Sequence, residues 1–188
     1  VNALSQSTSL EMRRPGPAAR IAAHARRCLP PLGAIVVGAA CWVLVMVASA
    51  TLAVWLRGWQ TPEKYQTIAV LFGSGAALGF PLALYAARLL SAGRSSEAAF
   101  AAMFLALSLS TLGTTALLFA LDYRAYYASW HEEFGTVTWV FQFVFTMAAA
   151  LVQFAVLGVR MFLPLGLAAL FIVSLWFARA SGYSGRPR

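Results

Sequence analysis

The sequence predicts an all-α, polytopic transmembrane helix bundle of about five spans, and three observations carry that prediction. Of 188 residues, 61% are hydrophobic and only 11% charged, against roughly a quarter charged in soluble domains. The apolar residues fall into uncharged stretches long enough to cross a hydrocarbon core of about 30 Å. Short polar segments carrying Pro, Gly and charge separate those stretches. Five helices of about 20 to 25 residues consume most of the chain, so one membrane domain with short loops is expected.

Residues 1–30 are rich in Ala, Arg, Ser and Pro and show no sustained apolar face, which predicts a disordered or surface-lying cytoplasmic tail. Its Arg13, Arg14, Arg20, Arg26 and Arg27 are topogenic charges that can meet anionic lipid headgroups. The net charge of +8 is therefore read as membrane topology. Nucleic acid is not an expected partner, because the basic tail lacks interleaved aromatics. Thirteen arginines against one lysine suggest a GC-rich bacterial coding sequence.

Pro30-Pro31 marks the tail boundary, and span one runs over residues 32–56. Within it, Ala48-Ser49-Ala50 has the form of a signal-peptide cleavage site, but the apolar run continues through Leu52, Val54 and Leu56 and is expected to stay uncleaved. Span two covers 66–90 and span three 98–121. An aromatic and acidic segment with Asp122, Tyr123, Tyr126, Tyr127, Trp130, Glu132 and Glu133 follows and suits a membrane interface. From Phe134 to Ala178 only Arg160 is charged, and a single helix there would reach about 68 Å. A break near Gly158 to Pro164 gives spans four (134–158) and five (161–178), with 179–188 a polar tail.

With the N-terminus in the cytoplasm of a bacterial inner membrane, Arg88, Arg94 and Arg160 join the tail arginines inside and the acidic loop faces out. Five crossings then leave Arg179, Arg186 and Arg188 outside, against the charge bias. Four spans plus a re-entrant last segment would return them to the cytoplasm.

Polar residues inside the spans mark the candidate sites. In span two, Gly75 and Gly79 form a GxxxG pair suited to close helix approach, and Pro81 predicts a kink. Span three carries Ser108, Ser110, Thr111, Thr114 and Thr115 opposite a leucine face, although such hydroxyls can bond back to their own helix. In span four, Thr138, Gln142, Thr146 and Gln153 share an arc of about 80°, and their amides should face other helices or trapped water. The hydroxyl face of span three is the expected partner. Ser129-Trp130-His131-Glu132 has the form of a capping box. A helix begun there would bring His131 and Arg160 onto the same face as mouth residues of a polar track.

No catalytic, cofactor or metal motif is present. His131, Glu132 and Glu133 point about 100° apart on a helix and cannot readily converge on one ion. Cys28 and Cys41 form no CxxC pair, and a disulfide between them is not expected. The leading expectation is a non-enzymatic accessory, assembly or regulatory subunit, associating with a partner membrane protein or with itself. A small-solute transporter or channel lined by spans three and four comes second. A membrane enzyme using His131 and Glu132 comes third.

Overall fold

The computed structural model describes residues 16–58, 61–163 and 165–183. Arg13, Arg14, Pro164, Arg186 and Arg188, which entered the sequence reading, lie outside the described residues. The protein is an all-α bundle without strands among those residues, built from α1 (Pro17–Arg27), α2 (Leu32–Leu56), α3 (Pro62–Ser91), α4 (Ser96–Tyr127), α5 (Val137–Gln153) and α6 (Leu165–Tyr183). Four stretches are long and apolar enough to cross a membrane, Leu32–Leu56, Tyr65–Ser91, Ser96–Trp130 and Val137–Phe162, and Leu165–Ser181 is a shorter apolar helix.

Within the segment expected to be a disordered or surface-lying tail, residues 17–27 form a helix. Pro17 opens it at a position where its missing N–H is not needed, and five alanines supply helix propensity. The chain leaves α1 at Cys28, and α2 starts after Pro31.

The tightest contact in the bundle joins α3 to α4. Side chains beyond Gly75 and Gly79 would not fit: a Cβ on Gly75 would strike Thr115, and one on Gly79 would strike the backbone of Thr111. Ala76, Ala83 and Ala87 continue that small-residue stripe and are fully buried. The Thr114 hydroxyl crosses the interface and donates to the Gly75 carbonyl at 2.7 Å. Small residues let two backbones approach until dispersion and hydroxyl bonds hold them, which is how helices associate where no hydrophobic effect operates. Pro81 lies inside α3, which runs unbroken from Pro62 to Ser91.

Helix α2 leans on this pair. The buried Trp42 indole N–H donates to Thr111 Oγ1 at 3.0 Å, and Gly38 accommodates the Phe80 ring. A Trp N–H in an apolar interior needs such an acceptor.

The last part of the chain shows a direction that the sequence did not carry. Arg124, near the end of α4, stacks over Trp139 and Phe143 of α5. Further along, Phe154 meets Phe119 at 5.9 Å, and Phe171 meets Phe104 at 5.1 Å and Phe100 at 6.1 Å. As the chain advances from 139 to 171 it passes steadily back along α4 from 124 to 100. Helix α6 therefore continues the direction of α5 and does not fold back along it. The two form one broken arm antiparallel to α4, and the end of α6 lies at the same end of the bundle as α1.

The break has local causes. Five residues of π-helix (Phe154–Gly158) and a 3-10 turn (Val159–Phe162) interrupt the α-helix, and Leu163 is extended because a proline follows it. Gly158 makes room for the Phe154 ring, and Phe72, Phe119, Phe154 and Phe162 cluster around the break.

Replacing Gly79 with Leu should cost about 1–3 kcal/mol or more, since rigid backbone of α4 blocks the new side chain. Gly113, with open space where its side chain would grow, is the control: Gly113→Leu should leave stability nearly unchanged. Unfolding of both variants in detergent micelles by denaturant titration measures the difference.

Candidate functional site

The polar residues singled out from sequence separate into three places. The hydroxyl row of α4 is consumed by its own surroundings. Ser108 donates to the Phe104 carbonyl at 2.7 Å and Thr115 to the Thr111 carbonyl at 2.7 Å, both one turn back. Thr111 accepts from Trp42 and Thr114 reaches α3. This row faces α2 and α3, so the expected pairing with the polar residues of α5 is not formed. Close packing against Gly75 and Gly79 turned those threonines toward α3.

The second place is the loop between α4 and α5. Sequence predicted a helix starting at Ser129, but α4 ends at Tyr127, a 3-10 turn covers Ala128–Trp130, and His131 is extended. The true N-cap of α5 is Thr136, whose Oγ1 accepts from the Trp139 N–H at 3.1 Å. Gly135, at φ +92°, allows the sharp entry into that cap. The rings of Tyr126, Tyr127 and Trp130 hold the turn against the end of α4.

His131 still reaches the predicted neighbours, but from the loop. The Gln142 side-chain oxygen accepts from the Glu132 backbone N–H at 2.9 Å and ties the loop to α5. Thr146 Oγ1 gives its hydrogen to the Gln142 carbonyl at 2.6 Å and lies 3.3 Å from His131 Nε2. With the hydroxyl hydrogen committed, the imidazole can donate to Thr146 through Nε2–H, which leaves Nδ1 on the other side of the ring. That Nδ1 is buried without a partner, as is Arg124 Nε. The Arg124 guanidinium lies 5.0 Å from the Phe143 ring centre and 5.8 Å from that of Trp139, a cation resting on aromatic faces.

Thr138, Gln153 and Arg160 make up the third place, and all three are exposed. They do not line the bundle interior. Gln153 makes no side-chain hydrogen bond within the described chain and stands among exposed Leu151, Val152 and Val156. Further up α5, Phe141 and Phe145 are 59% and 69% exposed, so this side has no partner among the described residues.

Ser49, part of the cleavage-site pattern in the sequence, has a structural role that the sequence does not show. It is fully buried in α2, donates to the Met161 carbonyl at 3.1 Å and accepts from the Gly166 N–H at 3.2 Å. One hydroxyl thus satisfies a carbonyl of the 3-10 turn inside the break and an amide at the start of α6. Next to it lies a cavity of about 190 Å³, lined mainly by apolar side chains including Trp42, Leu107, Phe162 and Leu170. Its two hydroxyl residues, Ser108 and Thr111, are already hydrogen-bonded. Among the described residues no group of three His, Cys, Asp or Glu side chains is placed to hold a metal ion, and Cys28 and Cys41 are free.

Two substitutions separate these roles. Gln142→Leu should free the Glu132 amide and raise hydrogen exchange across residues 131–136, while Gln153→Leu leaves that loop unchanged. Ser49→Ala should lower stability by about 1–3 kcal/mol, because two buried backbone groups lose their partner. Ser174, equally buried but with an unpartnered hydroxyl, should tolerate alanine. Exchange mass spectrometry and detergent unfolding read these outcomes.

No known protein family, characterised protein or solved structure matches this chain.

Proposed function

We propose that this chain is a multi-pass protein of a bacterial inner membrane that acts without chemistry of its own, as an accessory, assembly or regulatory subunit. Association runs through the outward face of α5. The supporting observation is Gln153, an amide without a hydrogen-bond partner among the described residues, on an apolar helix face that none of them covers. Exposing an amide to hydrocarbon costs several kcal/mol on hydrocarbon-like scales, and a facing helix with a polar group removes that cost. Thr138 lies on the same flank, and Phe141, Phe145 and Val152 supply apolar contact around the pair. Gly75 and Gly79 are not available for this task, because α4 already fills the space before them.

The charge distribution supports a cytoplasmic N-terminus. Arg20, Arg26, Arg27, Arg88, Arg94 and Arg179 gather at one end of the bundle, where Glu97 is the one described acid. Arg57, Lys64 and Arg124 at the other end stand among Glu63, Asp122, Glu132 and Glu133, while Arg160 lies at the break in the half of the bundle toward Arg57 and not with the tail arginines. Because α6 continues the direction of α5, Arg179 falls with the other cations, and the conflict raised by five alternating crossings disappears.

Native mass spectrometry from lipid nanodiscs tests the association. The expected result is a second copy or a stoichiometric companion, with affinity reduced about tenfold by Gln153→Leu, equivalent to about 1.4 kcal/mol. A strictly monomeric protein without a companion would overturn the reading. For orientation, a C-terminal GFP fusion should fluoresce and a C-terminal alkaline phosphatase fusion should be inactive. The opposite pair of results would refute a cytoplasmic C-terminus.

A further inference from the structure

Helix α1 divides its residues by chemistry around its axis. At 100° per residue, Arg20, His24 and Arg27 fall within about 60° of one another, while Ala18, Ile21, Ala22 and Ala25 occupy an arc of about 100° on the other side. Arg26 stands at the boundary. This separation is the pattern of a helix that lies between water and an apolar phase.

The apolar side has no cover among the described residues. Ile21 is 71% exposed, and α1 packs along none of the other described helices. Its end, in contrast, is fastened. Cys28 is buried, and the Leu29 carbonyl accepts from Arg88 Nη1 at 3.3 Å, tying the chain to the last turn of α3. Two prolines later, α2 begins with Leu32, 79% exposed and the first residue of an uncharged apolar span. The attachment therefore holds α1 at the rim where the apolar belt of the bundle gives way to the arginines of the α3 end. At such a rim the phase available to an apolar helix face is the outer layer of the bilayer, and the groups beside it are lipid phosphates.

We infer that α1 is an interfacial anchor that lies in the plane of the membrane, with Ile21 and its alanines in the acyl-chain boundary and Arg20, Arg26 and Arg27 recruiting anionic phospholipid. The occupant is a phospholipid surface because the apolar arc is shallow: three of its four side chains are methyl groups. Methyl groups offer little to a protein groove, which needs large anchors. Each arginine near a negatively charged surface adds to the attraction, so the cations supply the larger part of it. This inference is independent of the α5 association, and its test uses protein that need not be oligomeric.

The experiment uses the full chain with Cys28→Ser and Cys41→Ser, reconstituted in nanodiscs of phosphatidylcholine alone or with phosphatidylglycerol. Spin labels are placed by Ile21→Cys or by Ala23→Cys, which lies on the arginine side. With phosphatidylglycerol, the label at position 21 should be accessible to oxygen and shielded from an aqueous nickel chelate. The label at position 23 should show the reverse. Removing phosphatidylglycerol, or adding Arg20→Gln and Arg27→Gln, should reduce the contrast at least twofold. Equal aqueous access at both positions in phosphatidylglycerol discs would overturn the inference, as would a contrast indifferent to lipid charge. Circular dichroism of these fivefold variants confirms retained helix content, so loss of contrast is not loss of fold.

Discussion

The Ser49 hydroxyl holds together the part of the fold that is otherwise broken. A helix interrupted inside an apolar bundle leaves carbonyls and amides that water cannot reach, and each unmet group costs free energy comparable to a lost hydrogen bond. Ser49 meets one of each, the Met161 carbonyl and the Gly166 amide. Around it, Phe72, Phe119, Phe154 and Phe162 fill the volume that an unbroken helix would have filled. With the break stabilised in this way, α6 can leave on the course that brings Phe171 onto Phe100 and Phe104.

That arrangement depends in turn on a rigid platform. Helices α3 and α4 meet through glycine and alanine on one side and threonine on the other, and α2 is fixed to them by the bond from Trp42 to Thr111. Three helices held this closely set the height of Ser49 along α2, and so the height at which the arm is joined. The hydroxyls of α4 serve this platform. The polar groups that remain for other purposes are those at the ends and outside: the His131 loop, the outward face of α5, and the arginines of α1.

Much of this was legible in the sequence, and the reasons differ by element. The apolar runs identify their helices because length and hydropathy are properties of the segment alone. Gly75 and Gly79 announced a close approach for the same reason, since absence of a side chain is visible without a partner. Direction was not legible. Whether the segment after Pro164 turns back or continues depends on which neighbours catch Phe154, Met161 and Phe171, and those contacts join residues far apart in the chain. Ser49 was hidden likewise, because a lone serine in an apolar run has no pattern until its partners arrive from residues 161 and 166. His131 reached Thr146 by a route that spacing did not suggest: Gly135 and Thr136 started α5 later, and the loop folded over it. The amphipathic character of α1 was present in the sequence at helical spacing, but small alanines make a weak apolar signal in a stretch dominated by arginine.

The broken arm also bears on how the protein meets bilayers of different thickness. From Trp139 to Phe171 a straight helix would measure about 48 Å, while the stretch of α4 from Arg124 to Phe100 that it accompanies measures about 36 Å. The arm thus contains more length than its path along α4 requires, which fits an arm inclined to α4 and bent at the break. The tightly joined α2, α3 and α4 have no such reserve. In a bilayer, hydrophobic mismatch would therefore load the inclined α5 before the three closely joined helices.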